Sequence, residues 1–127
     1  MPSRILIADD SQCIRELMDA ILSSCGYSVT ITVDGQAAWE ELASCQPDLI
    51  LLDIEMPRID GCEVCRRIKS QPKTQNIPVI LISGRQDAAD LARGAGADAF
   101  LNKPFSISDL RGQVEALLWV SVNYAVN

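Results

Sequence analysis

The stretch "LILLDIEMPRIDG", residues 49–61, decides the fold of this chain. A short continuous run of Leu and Ile ends on Asp53, and a turn sequence, residues 56–61, follows. Continuous apolar runs of this length are typical of parallel strands that are covered on both faces. The stretch therefore predicts a buried strand that ends on a carboxylate. Because Asp9 and Asp10 supply two further acids, the question is where the three carboxylates meet.

Similar apolar runs alternate with segments of helical periodicity along the chain. Strands are predicted from such runs at Arg4–Ala8, Asp48–Asp53 and Pro78–Ser83, from an alternating edge-strand pattern at Ser28–Thr32, and mainly from its position at Asp98–Asn102. Helices are predicted around residues 14–22 with Gly26 as a C-terminal cap, at Gly35–Cys45, Gly61–Ser70 and Gln86–Gly94, and from Ser106, where Ser106 and Asp109 resemble a capping box. This alternation predicts an α/β fold, a doubly wound five-stranded parallel sheet with five helices on its two faces.

The chain has the length and the apolar content of one domain with its own core. It has 127 residues, of which 48% are hydrophobic, and no internal linker, repeat or low-complexity segment interrupts it. We assign residues 1–119 to this domain and residues 120–127 to a C-terminal tail or the start of a connector. The alternating apolar residues from Val120 to Val126 suggest a strand-like conformation for that tail.

Charge and residue usage exclude several classes of function. The net charge of −6 would repel a phosphate backbone, so no direct nucleic-acid binding is expected. Because the chain has no histidine, Ser-His-Asp and Cys-His catalysis and most zinc sites are unavailable. No apolar run is long enough to span a bilayer and the N-terminus lacks a signal-peptide core, so we expect a cytoplasmic protein without a membrane partner.

The cysteines do not form a recognisable framework. There are five, an odd and scattered set, which argues against a disulfide scaffold. Cys62 and Cys65 have the spacing of a redox or zinc pair, but no second pair and no histidine complete a metal site. We expect Cys65 to pack inward and Cys62 to face outward.

Polar residues follow the predicted strands at the points where the strands end. Asp9 and Asp10 follow the first strand, Asp53 ends the third, Ser83 ends the fourth and Lys103 follows the fifth. The carboxyl ends of parallel strands meet at one edge of the sheet, where ligands bind in folds of this class. Helix capping by the acidic pair, a strand-ending serine and a surface lysine are the ordinary alternatives. The shared position at strand ends favours a site.

The chemistry of these side chains points to phosphoryl transfer. Three neighbouring carboxylates repel one another unless a cation or a proton joins them. Mg²⁺ suits such a site because it takes one or two carboxylates together with phosphoryl oxygens. Lys103 adds a second positive charge and Ser83 a hydroxyl donor, which completes the set that stabilises a phosphoryl group in transfer. Because a carboxylate is ordinarily ionised at neutral pH, we expect Asp53 to need no general base to act as a nucleophile.

At these positions the sequence resembles the receiver domains of two-component response regulators, including the chemotaxis receiver. The resemblance runs from residue 4 to about residue 118 and rests on Asp9-Asp10, on Asp53 followed by Met56-Pro57 and Gly61, on Ser83-Gly84 and on Lys103-Pro104-Phe105. It implies a flavodoxin-like fold with the strand order 2-1-3-4-5. It also implies a signalling phosphoacceptor domain rather than an enzyme.

The resemblance assigns a role to each acidic residue. Asp53 would take a phosphoryl group from a phosphohistidine on a histidine kinase or a phosphotransfer protein. Asp10 and Asp53 would ligate Mg²⁺ together with the backbone carbonyl of Glu55, and Asp9 would help through a water molecule. The phosphorylated domain would then act on a downstream protein target or an output domain, and activation could bring homodimerisation.

The resemblance also implies how phosphorylation is read out. Ser83 and Lys103 would hold the phosphoryl oxygens, and Ser83 and Phe100 would carry the conformational switch. From the sequence alone, Phe100 is a core packing residue, so its switch role rests on the resemblance. The Lys103–Pro104 peptide bond would be cis.

The sequence departs from the family pattern in one segment. The stretch between Ser83 and Lys103 is slightly shorter than is usual in the family, and the missing length falls in the fourth helix or its leading loop. We expect the usual partner surface to be altered there. Glu55 and Arg85 flank the entrance to the site, and we hypothesise that they pair across it and slow the access of water and phosphoryl donor.

Three other classes of function remain as alternatives. A phosphatase of the haloacid-dehalogenase type needs a second acid two residues after the nucleophile, followed by Thr, whereas here Glu55 and then Pro57 follow Asp53. A flavodoxin needs a hydroxyl-rich phosphate loop after the first strand, where this chain has two acids. A receiver-shaped interaction module that is never phosphorylated is the third alternative, and only experiment separates it from the phosphoacceptor.

Overall fold

Five strands and five helices alternate along the chain, as predicted. The computed structural model describes residues 2–124, with side chains described up to residue 120. The strands are β1 (Arg4–Ala8), β2 (Ser28–Thr32), β3 (Leu49–Asp53), β4 (Val79–Ser83) and β5 (Ala99–Asn102). The helices are α1 (Gln12–Ser24), α2 (Gly35–Glu41), α3 (Gly61–Ser70), α4 (Ala88–Gly94) and α5 (Ile107–Tyr124). Among the helices of residues 2–124, none combines the length and apolar character that a membrane crossing requires.

The strands form one parallel sheet in the order β2-β1-β3-β4-β5, which confirms the predicted fold class and strand order. Every residue of β3 and β4 is buried, as their unbroken apolar sequences predicted. The register pairs Asp53 with Ile82 and Ser83 with Asn102. The last residues of neighbouring strands therefore lie side by side at one edge of the sheet.

Each face of the sheet has its own hydrophobic core. Successive strand residues point to opposite faces, so Ile50 and Leu52 of β3 join one core while Leu49 and Leu51 join the other. The first core includes residues of α2, α3 and α4, and the second includes residues of α1 and α5. Burial from both sides fixes the central strands, and with them the positions of the residues at their ends.

The helix ends follow the predicted capping residues. Gly26 has a φ of +92°, a conformation that glycine adopts freely, and it lies just after the end of α1. The hydroxyl of Ser106 accepts a hydrogen bond of 3.0 Å from the Asp109 main-chain N–H, as the capping prediction required. The Lys103–Pro104 peptide bond is cis, as expected.

Three predicted segments differ from the structure. α2 ends at Glu41 and continues as turns rather than as helix to Cys45, and α4 begins at Ala88 rather than at Gln86. The strand-like prediction for the tail is wrong up to Tyr124, because α5 continues to that residue. A strand there would need a neighbouring strand for its hydrogen bonds, whereas a helix pairs its backbone groups internally. Val126 lies outside the described residues, and the domain boundary at residue 119 stays a prediction.

The predicted outward orientation of Cys62 is wrong. Cys62 and Cys65 are both buried, and each thiol lies near a main-chain carbonyl of the α4 region: Cys62 Sγ is 3.8 Å from Leu91 O and Cys65 Sγ is 3.4 Å from Ala95 O. Helix α4 packs beside α3 and covers both residues. Burial raises the pKa of the Cys62 thiol and raises that of Cys65 to about 11. Thiols that stay protonated at neutral pH make poor redox nucleophiles.

Gly61 permits the close contact between α3 and the end of β3. A Cβ atom at Gly61 would collide with the Asp53 carbonyl oxygen and would lie 3.0 Å from Ile54 Cα. Both obstacles are backbone atoms, so Gly61→Ala forces the helix away from the strand end. We expect the free energy of unfolding in urea to fall by about 1–3 kcal/mol.

The matched control is Gly112→Ala in α5. A Cβ atom at Gly112 meets nothing within 4 Å, and alanine is the better helix former. We therefore expect this substitution to raise the free energy of unfolding by about 0.5–1 kcal/mol. Equal stability of Gly61→Ala and wild type would contradict the proposed collision.

Candidate functional site

The predicted site residues meet at the carboxyl edge of the sheet. Oxygen atoms from the carboxylates of Asp9, Asp10 and Asp53 all lie within 4.8 Å of one another. Lys103 Nζ lies 3.0 Å from Asp9 Oδ2 and 3.3 Å from Asp53 Oδ1. Ser83 is at the end of β4, the strand next to Asp53. The structure therefore brings together residues from four separate segments of the sequence.

Asp9 is held in place by hydrogen bonds from the main chain of Ser11 and from the side chain of Arg15 in α1. It is completely buried, and its Oδ1 accepts a hydrogen bond of 2.9 Å from the Ser11 main-chain N–H. The guanidinium of Arg15 donates a 2.8 Å hydrogen bond to the Asp9 carbonyl oxygen. Asp10, by contrast, is exposed at the rim of the site. The acidic pair thus offers one fixed carboxylate inside the site and one accessible carboxylate at its entrance.

Lys103 is the cation that faces the two buried carboxylates. Burial lowers the pKa of its ammonium group, but the contact with Asp9 and the negative charges of Asp53 and Asp9 outweigh burial, so that the pKa is raised overall. Lys103 therefore stays protonated at neutral pH. One positive charge then faces two buried carboxylates, and the balance is negative when both are ionised.

The excess negative charge is visible in Asp53. Burial, followed by the charge of Asp9, raises the pKa of the Asp53 carboxyl from 3.8 to about 7, although Lys103 acts in the opposite direction. Like charges held close together in a buried site disfavour ionisation in this way. At neutral pH the metal-free site therefore keeps Asp53 partly protonated, contrary to the ionised state expected from the sequence, and a further cation would favour loss of this proton.

The oxygen atoms of the site fit a hard divalent cation. Asp9 Oδ2 and Asp53 Oδ1 are buried and share the ammonium group of Lys103, which lies 3.0 Å from the first and 3.3 Å from the second, and they accept no hydrogen bond from another described residue. A single ammonium group does not neutralise two buried carboxylates, and the remaining negative charge is energetically unfavourable. Mg²⁺ prefers oxygen ligands and is usually bound through one or two carboxylates. The donor set therefore suits Mg²⁺, with the exposed Asp10 completing it.

Ser83 is engaged by Glu55 rather than free. Its hydroxyl lies 2.7 Å from Glu55 Oε1 and 2.9 Å from Oε2, to which it donates, and it accepts a 3.0 Å hydrogen bond from the Arg85 main-chain N–H. The predicted pairing of Glu55 with Arg85 is wrong. The Arg85 guanidinium forms two 3.0 Å hydrogen bonds with the Asp87 carboxylate, which is only two residues away and therefore closer to hand.

Phe100 lies in β5 opposite Leu81 and is half-buried against the core on the α2, α3 and α4 side. Its carbonyl oxygen accepts a 3.0 Å hydrogen bond from the Gln113 side chain of α5. A half-buried ring at this edge strand is compatible with both core packing and movement. Its switch role stays a prediction, as does metal ligation by the Glu55 carbonyl.

Three contacts of the site were not predicted from the sequence. Arg15 holds the backbone of Asp9, the buried Thr32 hydroxyl donates a 2.8 Å hydrogen bond to the Ile7 carbonyl near the end of β1, and the Glu55 side chain binds Ser83. In the sequence, Arg15 looks like an ordinary basic residue of a helix, Thr32 like a strand residue and Glu55 like an acidic loop residue. Their partners are distant in the chain or on the backbone, so no local pattern reveals them.

Comparisons with known proteins agree with this geometry. The profile described as the response regulator receiver domain matches residues 5–115. The response regulator MprA of Mycolicibacterium vanbaalenii is 41% identical over 120 residues, which cover 93% of this chain and 51% of that protein. The chain thus spans about half the length of the curated relatives it matches.

Solved structures show the same fold. A putative response regulator from Chloroflexus aurantiacus superimposes with a TM-score of 0.90 at 30% identity, over 93% of this chain and 98% of that one. The receiver domain of a sensor histidine kinase from Pseudomonas aeruginosa gives a TM-score of 0.86 at 28% identity, over 93% and 98% of the two chains, and carries a magnesium ion in its active site cleft. Receiver domains of this kind are signalling domains. The chain belongs to the response regulator receiver domain family.

Proposed function

We propose that this chain is a phosphoacceptor domain that takes a phosphoryl group onto Asp53. The observation that supports this most directly is the position of the Asp53 carboxylate, which is buried at the end of β3, 3.3 Å from Lys103 and within 4.8 Å of two other acids. A rigid strand aims this carboxylate into the site. The surrounding charges suit a group that gains negative charge during the reaction.

The proposed step forms a bond from an Asp53 oxygen to phosphorus. The phosphorus–nitrogen bond of a phosphohistidine breaks, and its electron pair returns to the histidine nitrogen. Lys103 Nζ, already 3.3 Å from Asp53 Oδ1, would pair with a phosphoryl oxygen. Ser83 would donate its hydroxyl hydrogen to another phosphoryl oxygen. These groups act by position and charge, which is how phosphoryl transfer is mainly catalysed.

We propose that Mg²⁺ is the cofactor of this step. Asp10 and Asp53 would hold it together with the Glu55 backbone carbonyl, and Asp9 would contact it through water. When bound, the ion would neutralise part of the carboxylate charge and coordinate phosphoryl oxygens. The buried carboxylates of Asp9 and Asp53, which share only the one positive charge of Lys103 among the described residues, support this assignment.

The partners we propose follow from the chemistry of an acyl phosphate. The donor is a histidine kinase or a phosphotransfer protein that presents a phosphohistidine. The phosphorylated form then changes its contacts with a downstream protein, with an output domain or with a second copy of the chain. The phosphatase alternative lacks support, because the acid two residues after Asp53 is hydrogen-bonded to Ser83.

Phosphorylation by a small donor tests the assignment of Asp53. We expect intact mass spectrometry after incubation with acetyl phosphate and Mg²⁺ to show the gain of one phosphoryl group, which EDTA abolishes because the carboxylate charge is then not neutralised. Asp53→Asn should show no gain. Asp90→Asn, which changes an exposed acid in α4, should react like the wild type.

Two outcomes would contradict the assignment. If wild type gains no phosphoryl group, the chain is an interaction module that is not phosphorylated under these conditions. If Asp53→Asn is still phosphorylated, another residue is the acceptor.

The proton and the metal ion are expected to compete for Asp53. In the metal-free protein the pKa of Asp53 is raised from 3.8 to about 7, so the folded state binds this proton more tightly than the unfolded chain does. The tighter binding of this proton stabilises the folded state fully below the pKa that Asp53 has in the unfolded chain. This stabilisation is lost as the pH rises through about 7, the pKa of Asp53 in the folded state. In EDTA, we expect the free energy of unfolding in urea to fall between about pH 5 and about pH 8.

Asp53→Asn is the control for this titration. The variant should lack this component of the pH dependence, and Mg²⁺ should stabilise wild type at the alkaline end of the range more than it stabilises the variant. Identical pH profiles for wild type and Asp53→Asn in EDTA would show that the Asp53 pKa is not raised.

A further inference from the structure

The hydrogen of the Ser83 hydroxyl already has an acceptor in this structure. The hydroxyl oxygen lies 2.7 and 2.9 Å from the two carboxylate oxygens of Glu55, which share its one hydrogen, and it accepts a 3.0 Å hydrogen bond from the Arg85 main-chain N–H. A serine hydroxyl has a single hydrogen to donate. While Glu55 accepts that hydrogen, a phosphoryl oxygen on the neighbouring Asp53 cannot.

The two partners differ in how freely they can move. Ser83 is completely buried at the end of β4, whereas Glu55 is exposed in the loop that follows β3. β3 and β4 are neighbouring strands, and Asp53 pairs with Ile82, the residue before Ser83. The Glu55 side chain therefore reaches from the phosphoacceptor loop across to the adjacent strand end, where it can leave without disturbing the core.

We propose that Glu55 is a positioning residue whose carboxylate holds the Ser83 hydroxyl in the unphosphorylated domain and must release it before the phosphoryl group can engage Ser83. This inference rests on the proposed function, because it concerns the same site. It assigns to the side chain of Glu55 a role separate from the metal ligation proposed for its backbone carbonyl.

A phosphoryl group would displace Glu55 in two ways. A phosphorylated side chain carries a charge of about −1.5 to −2 at neutral pH, in place of at most −1 on the Asp53 carboxylate, and the added negative charge repels the Glu55 carboxylate. The phosphoryl group also offers oxygen atoms that accept the Ser83 hydrogen. The nearby Arg85 guanidinium is paired with Asp87, so Arg85 does not hold Glu55 in its present position. Phosphorylation and the Glu55–Ser83 hydrogen bond therefore exclude each other.

The test uses beryllofluoride with Mg²⁺, a stable mimic of an aspartyl phosphate, titrated into the protein and followed by proton–nitrogen correlation NMR. Glu55→Ala should bind it about tenfold more tightly than wild type, because no hydrogen bond to a charged acceptor then has to be broken. Glu55→Gln should fall between the two, since it keeps an acceptor and loses the charge. Glu115→Ala, which removes an exposed charge in α5, should equal the wild type.

The decisive comparison repeats Glu55→Ala in a Ser83→Ala background. With no hydroxyl to release, the substitution should change the beryllofluoride affinity by less than about threefold. An equal gain in both backgrounds would mean that Glu55 acts through its charge alone, and would overturn the proposal. An unchanged affinity of Glu55→Ala with Ser83 present would overturn it as well.

A measurement in the free protein separates this proposal from the proposed function. Without Mg²⁺ or beryllofluoride, Glu55→Ala should shift the amide resonance of Arg85, whose N–H donates to Ser83 Oγ, and Glu115→Ala should not. An unshifted Arg85 amide would remove the hydrogen bond and the inference, whatever the site does with phosphate. If wild type fails to bind beryllofluoride while the amide shifts, the proposed function fails and the positioning role for phosphorylation fails with it.

Discussion

Two buried carboxylates that share a single ammonium group are the constraint on which this site depends. Asp9 and Asp53 are nearly inaccessible to solvent, and Lys103 lies within 3.3 Å of both. Such an arrangement would relax if its parts could move apart, because like charges in a buried site repel strongly. They cannot move apart, since each carboxylate is at the end of a strand that is packed on both faces. The parallel sheet thus supplies the rigidity that keeps an unfavourable set of charges together.

The same constraint connects the proton, the metal ion and the phosphoryl group. A proton on Asp53, whose pKa is raised to about 7, relieves the excess negative charge, and a divalent cation beside the two carboxylates would relieve it more completely. In the proposed reaction, a phosphoryl group would add negative charge to the same place and would therefore require the cation. Glu55 fits this scheme as the one acid whose charge is directed to a hydroxyl on the neighbouring strand. In the proposed mechanism, Glu55 would keep its contact with Ser83 only as long as Asp53 carries no phosphoryl group.

The sequence was most informative where periodicity and burial agree. Unbroken apolar runs predicted three of the strands, an alternating pattern and chain position predicted the other two, and the alternation with helices predicted their common direction. The polar residues at strand ends predicted which side chains meet. The predictions that failed depend on packing between helices or on competition between partners. Cys62 is buried because α4 covers a wider face of α3 than the spacing of apolar residues along α3 indicates. The Arg85 guanidinium pairs with Asp87 rather than with Glu55, because pairing with a residue two positions away fixes fewer rotatable side-chain bonds and so costs less conformational entropy. The chain continues as helix to Tyr124, although the apolar residues after Trp119 alternate in the sequence as in a strand.

The exposure of Glu55 matters as much as its hydrogen bond. A hydrogen bond to a charged group contributes about 1.5–3 kcal/mol, and exposure of the carboxylate to water brings this towards the lower end. A free-energy difference of roughly 1.4 kcal/mol changes an equilibrium constant tenfold. The proposed contacts of a phosphoryl group with Ser83 and Lys103 would reverse a preference of this size. A buried acid in the same place would hold Ser83 more firmly and would also oppose phosphorylation of Asp53 more strongly. An exposed acid therefore suits a site that must be inactive when free and still accept its modification, because it weakens the competing state without blocking the reaction.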